Sequence, residues 1–111
     1  LLEQKNRPTA VFCANLSDAE RVFLLAEEFG CKVPDDLSLI YFGCTWRESE
    51  FSQRLTCVAV DERDVGMQAC NLLVRIDTGQ LPHDSDVRVE VALTLLPGQT
   101  VAPPNQSDGG V

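Results

Sequence analysis

The 111-residue sequence predicts an α/β fold, three-layered and with a mainly parallel sheet. Three observations carry that expectation. Short, continuous apolar runs at residues 9–14 and 37–42 suit strands covered on both faces, as parallel strands usually are. Between them lies a segment whose apolar residues recur every three or four positions, the period of a helix. Strand, helix, strand in that order fits a right-handed parallel crossover.

The first run, Thr9-Ala10-Val11-Phe12-Cys13-Ala14, stops at Asn15-Leu16. Ser17-Asp18-Ala19-Glu20 then reads as a capping box, with Ser17 accepting from the Glu20 amide while Glu20 reaches back. Ala19, Val22, Phe23, Ala26 and Phe29 form an apolar stripe that Leu24 and Leu25 widen. Gly30 suits the left-handed position past a helix end, so a helix is expected over 18–29. Val33-Pro34-Asp35-Asp36 is a turn, and Leu37 to Phe42 is the second strand. Gly43 to Arg54 is polar and aperiodic, which predicts a long loop above the carboxyl end of that strand.

Leu55 to Val60 is expected to be a third strand. Asp61 can cap a following helix near 62–78, whose Val65, Ala69, Leu72, Leu73 and Ile76 share a face until Gly79 ends it. Val87, Val89, Val91, Leu93 and Leu95 alternate with Arg88, Glu90 and Thr94, the pattern of a half-exposed edge strand over 87–95. Beyond Leu96, Pro97-Gly98 and the stretch from Pro103 to Gly110 offer too little apolar surface to offset their ordering entropy, and 105–111 is expected to be a disordered tail.

Composition narrows the function. With 44% hydrophobic residues the chain can build one small core. A net charge of −8, scattered basic residues and three acids between Asp61 and Asp64 argue against direct contact with nucleic acid. The five cysteines, at 13, 31, 44, 57 and 70, contain no C-x-x-C pair and suit a reducing, cytoplasmic setting. The equal spacing from Cys31 to Cys70 is a coincidence, because the residues around each cysteine do not recur, and no metal is expected. No apolar run approaches the ~20 residues that span a bilayer. The start lacks a signal sequence, and Leu1-Leu2-Glu3-Gln4 reads as the end of a helix.

Ligands of open parallel sheets bind outside the carboxyl ends of the strands. The candidate ligand-binding residues are therefore Asn15, Leu16, Ser17, Gly43, Thr45, Trp46 and Asp61. Asn15 can donate and accept toward a hydroxylated ligand, or simply shape its turn. Trp46, the only tryptophan, offers a face for a sugar-like ring, or else plugs a loop. Ser17 lacks a G-x-S-x-G setting, and His83 sits in a Pro-flanked turn with Asp84 and Asp86, so capping and solvation explain them better than catalysis or metal binding. Gly43 is isolated and no phosphate loop is present. Neither an enzyme nor a cofactor is expected.

Arg7-Pro8-Thr9-Ala10-Val11-Phe12-Cys13-Ala14-Asn15, a helix, and then Val33-Pro34-Asp35-Asp36-Leu37-Ser38-Leu39-Ile40 resemble the sensor domain of the LacI/GalR family of transcriptional regulators. Leu55-Thr56-Cys57-Val58 before a helix with Gly66, and the ending Leu96-Pro97-Gly98-Gln99-Thr100-Val101-Ala102-Pro103-Pro104, extend the resemblance over about residues 5 to 104. It implies part of a periplasmic-binding-protein-like (type I) fold, two α/β subdomains hinged around a small effector, with 1–104 as the carboxyl-terminal part.

The strands near 10–14 and 38–42 would belong to one subdomain, and the helix near 62–78 would pack in the other, leaving its partners outside this chain. The family also implies a sugar-like or nucleoside-like effector, a homodimer for which the 19–29 stripe is a candidate surface, and a separate amino-terminal helix-turn-helix DNA reader. Two positions depart from its pattern. Leu16 stands where the family usually carries an effector-binding Asp, and Tyr41-Phe42-Gly43-Cys44 lacks the carboxylate of the family's Gly-aromatic-Asp. A solute-binding protein for transport, sharing the fold, and a degenerate sensor kept for dimerisation remain the alternatives.

Overall fold

The computed structural model describes residues 7–84 and 86–104. The expected helix end at Leu1–Gln4 and the expected tail at 105–111 lie outside the described residues. The elements run β1 (Ala10–Cys13), α1 (Leu16–Glu28), β2 (Ser38–Cys44), α2 (Glu50–Arg54), β3 (Thr56–Val60), α3 (Glu62–Asp77) and β4 (Leu93–Leu96). The sheet has the order β1-β2-β3-β4, with the first three strands parallel and β4 antiparallel to β3.

Register assigns the two faces. Val11 pairs with Leu39, and Cys13 with Tyr41, which in turn pairs with Cys57. These side chains lie on the face that α1 covers with Ala19 and Phe23, and Leu55 and Ala59 complete the core. Phe51 of α2 meets the Phe23 ring edge-on, centroids 5.3 Å apart, and the Arg54 guanidinium lies 5.7 Å from the centre of that ring. A second, smaller cluster of Ala26, Cys31 and Leu37 closes the far end of α1.

The opposite face carries Phe12, Ile40, Phe42, Val58, Leu93 and Leu95. No described helix covers it. Phe12 is 60% exposed and Leu95 61%, so the expected cover on both faces is not met among the described residues. Their continuous apolar runs are two-sided, yet the described residues supply a covering layer for one side only.

Four other expectations are corrected. The capping box at Ser17 does not form: Asn15 is the last extended residue, and α1 begins at Leu16 with Ser17 already inside its first turn. Gly43–Arg54 is not wholly a loop, because Ser49 and Ser52 build a reciprocal capping box for α2, a helix too short to show periodicity. The strand expected at 87–95 is confined to Leu93–Leu96, since residues 87–92 have no neighbouring strand with which to exchange hydrogen bonds. Pro97-Gly98, expected to offer too little apolar surface to offset its ordering entropy, instead opens a strap over residues 97–102 that is hydrogen-bonded to the sheet.

That strap fastens the amino ends of β2 and β3. The Thr100 hydroxyl accepts from the Thr56 amide at 2.9 Å and donates to the Leu39 carbonyl at 2.6 Å. The Leu39 amide returns a bond to the Thr100 carbonyl at 2.8 Å. The Ser38 hydroxyl donates to the Ala102 carbonyl at 2.9 Å and accepts from its amide at 3.0 Å. The Thr56 hydroxyl accepts from the Gly98 amide at 3.1 Å. A Cβ at Gly98 would run into the Arg54 carbonyl, so the strap can pass only where no side chain exists.

Helix α3 differs from the rest. It has sound ends, with Asp61 accepting from the amides of Arg63 and Asp64 at 3.0 and 3.2 Å and Gly79 at φ +81, yet none of its residues is buried. Leu73 is 67% exposed. The radius of gyration is 19.3 Å, against ~13 Å for a compact chain of this length. Helix α3 thus keeps its amphipathic pattern without a surface among the described residues that buries it.

Two outcomes are expected. Thr100→Val, which keeps shape but removes the hydroxyl, strands a buried amide and a buried carbonyl, and chemical denaturation should show a loss of roughly 2–4 kcal/mol. Tyr41, the only tyrosine, is 2% exposed, and burial followed by the adjacent Cys57 thiol pushes its phenol from 10.0 to about 12. Its folded pKa lies above the unfolded one, so the stability it contributes is intact below about pH 10 and is lost as pH rises toward 12. Phenolate absorbance should therefore titrate near 12 in the native chain and near 10 in denaturant.

Candidate functional site

Because β1, β2 and β3 are parallel neighbours, their carboxyl ends emerge side by side. The structure thus brings Asn15–Ser17, Gly43–Trp46 and Asp61–Glu62 to one edge of the sheet, opposite the strap. Their individual duties differ.

Asn15 is the cap of α1. Its Oδ1 accepts from the Asp18 amide at 2.8 Å, and its Nδ2 donates to Asp18 Oδ2 at 3.2 Å, so both ends of the amide are engaged. Leu16 is half-buried and packs against the main core cluster. Ser17 is exposed in the first turn of α1.

Gly43 lies where the Tyr41 ring folds back along β2. A Cβ there would stand 2.6 Å from Tyr41 Cε2 and 3.1 Å from Cys57 Sγ, so the glycine is required for packing. The Thr45 amide donates to the Val60 carbonyl at 3.1 Å, which extends the β2–β3 ladder one residue beyond the strand. Trp46 follows with 73% of its surface exposed. Asp61 is the cap of α3, and its Oδ1 carries both bonds.

Residues that sequence reasoning passed over shape this edge. The Cys44 thiol donates to the Trp46 carbonyl at 2.9 Å. Arg47 Nη1 reaches the carbonyls of Gln53 and Leu55 at 3.4 and 3.3 Å, tying the loop to the end of α2. Burial raises the Cys44 thiol pKa, and the Glu62 carboxylate raises it further. The Cys13 thiol is raised by burial and then by Asp18. Both thiols are therefore held protonated and behave as packing and donor groups, not nucleophiles. Only their place at strand ends could have flagged them in the sequence.

No group of three or more metal-ligating side chains occurs among the described residues, and His83 is exposed in its turn. No described helix is long and apolar enough to cross a membrane.

Comparison with known proteins agrees with this geometry. Residues 1–101 match the periplasmic binding protein-like domain family. The chain is 33% identical over 102 residues to the HTH-type transcriptional repressor PurR of Erwinia tasmaniensis, covering 92% of this chain and 29% of that protein. It is 36% identical over 102 residues to PurR of Klebsiella pneumoniae subsp. pneumoniae, with the same coverage. The crystal structure of a LacI family transcriptional regulator from Bifidobacterium animalis subsp. lactis superposes with a TM-score of 0.77 at 26% identity, over 94% of this chain and 37% of that one. The chain thus spans about 29% of the length of the curated relatives it matches. The match over residues 1–101, the identity of 33–36% to these repressors over 92% of the chain and the superposition on a LacI-family structure establish that this chain belongs to the periplasmic binding protein-like domain family, in the form found in LacI-type regulators.

Proposed function

We propose that residues 1–104 are the carboxyl-terminal part of the effector-sensing domain of a LacI-type regulator. A small molecule, sugar-like or nucleoside-like, binds at the carboxyl edge of β1–β3 and alters DNA binding by a separate amino-terminal helix-turn-helix domain. The observation that carries this reading is the division of the chain into two parts. Strands β1–β4 with α1 and α2 form one packed body, whereas α3 is complete as a helix and buried nowhere. An amphipathic helix of this length persists where its apolar face is covered, and a second lobe facing the ligand edge supplies that cover.

An effector held between the two lobes then shifts an open–closed equilibrium by binding the two states unequally. No bond is made or broken, so the module is not an enzyme. It works in the cytoplasm, where its DNA target lies, and touches neither DNA nor membrane itself. Leu24 and Leu25 on α1 and Phe29 at its C-cap are exposed at 58%, 41% and 53%, which leaves part of the predicted stripe available for a homodimer contact.

Thermal-shift screening of the full-length protein against sugars, sugar phosphates, nucleobases and nucleosides tests the reading, coupled to a DNA-binding titration. An effector at 100 times its Kd should add about 2.7 kcal/mol of stability and change DNA affinity in parallel. A ligand that stabilises the protein yet leaves DNA binding unchanged would point to solute binding for transport. No response at all would favour a degenerate module kept for dimerisation.

A further inference from the structure

The last carbonyls of a helix have no partner within it, and α2, five residues long, takes donors from elsewhere. Two distant segments supply them at one junction. Arg47 Nη1 donates to the carbonyls of Gln53 and Leu55 at 3.4 and 3.3 Å. The Gln99 amide donates to the carbonyl between them, that of Arg54, at 2.7 Å. The following residue, Thr56, receives the Gly98 amide on its hydroxyl at 3.1 Å. Arg47 belongs to the loop that carries Trp46 at the carboxyl edge of the sheet, whereas Gly98 and Gln99 open the strap at its amino edge.

The junction has little slack. A Cβ at Gly98 would meet the Arg54 carbonyl, so the strap runs directly against backbone there. On the other flank, the Phe51 ring and the Arg54 guanidinium hold α2 to the Phe23 ring of α1. Confined on both sides, three consecutive carbonyls turn together, and a donor lost from one side alters what is presented to the other. We propose that Arg47 is a positioning residue that couples the Trp46 loop to the strap through the carbonyls of residues 53–55. A displacement at the carboxyl edge is thereby felt at the amino ends of β2 and β3, along an unbroken path of bonds. The coupling belongs to the chain itself and is independent of the sensor reading above.

Amide hydrogen exchange in the full-length protein, read by mass spectrometry at single residues, tests it in Arg47→Ala, Arg47→Lys, Gly98→Ala and the double variant of Arg47→Ala with Gly98→Ala. Arg47→Ala is expected to speed exchange of the Gln99 amide about tenfold, because local opening is what exchange reports there. The Cys31 amide, bonded to the Ala26 carbonyl at 2.8 Å beyond the far end of α1, should stay unchanged. Arg47→Lys, which keeps a cationic donor, should restore most of the protection at Gln99. In the reverse direction Gly98→Ala displaces the Arg54 carbonyl and should speed exchange of the Thr45 amide, an effect that disappears once Arg47 is alanine. Equal acceleration of Gln99 and Cys31 in Arg47→Ala marks a general loss of stability and overturns the coupling. An unchanged Gln99 in Arg47→Ala overturns it too, as does an effect of Gly98→Ala on Thr45 that persists without Arg47.

Discussion

The sheet depends on a side chain acting where backbone pairing runs out. The β2–β3 ladder begins at Ile40 and Thr56, so Leu39 has no β3 residue opposite it. Thr100 fills that place, bonding Leu39 through its own carbonyl and hydroxyl while the same hydroxyl receives the Thr56 amide. Thr100 thereby satisfies three backbone groups on two strands, at sequence distances of 61 and 44 residues. Buried amides and carbonyls are costly when unmet, so the strap sets the relative position of β2 and β3. At their other ends, Thr45 and Val60 then lie in register, and the candidate site inherits its geometry from a fastening on the opposite side of the sheet.

Sequence periodicity recovered what is decided locally or by burial within this chain. The strands near 10, 38 and 56, the helix α1 with Gly30 at φ +73, and the Asp61 cap were all legible. The errors share one cause, in that each concerned a partner not visible from local spacing. Ser17-x-x-Glu20 satisfies the capping pattern, but Asn15 lies two residues earlier and wins because the chain is still extended there. The Ser49–Ser52 box was hidden in a polar stretch because five residues show no period. Residues 87–92 alternate convincingly, but a strand exists only beside another strand. At the site, the loops were legible from topology, whereas the commitment of Asn15 and Asp61 to capping and the roles of Cys44 and Arg47 required coordinates.

Two apolar surfaces stay exposed among the described residues. The bare sheet face with Phe12, Phe42 and Leu95, and the unburied stripe of α3, both retain apolar residues that this chain does not enclose. Such exposure, beyond the scattered apolar residues normal on a monomer, marks surfaces shaped against something else.

The chain leaves β3 at Val60 and re-enters the sheet at Leu93, and these two residues are paired across the antiparallel β3–β4 ladder. Outgoing and returning connections are therefore stitched to each other at the point of departure. Val60 is also paired with Cys44 of β2, so this doorway lies inside the four-stranded sheet, and sliding β3 against either neighbour breaks several bonds at once. The excursion through α3 is consequently moored at both ends to adjoining points of one rigid lattice, as two ropes are made fast to the same cleat.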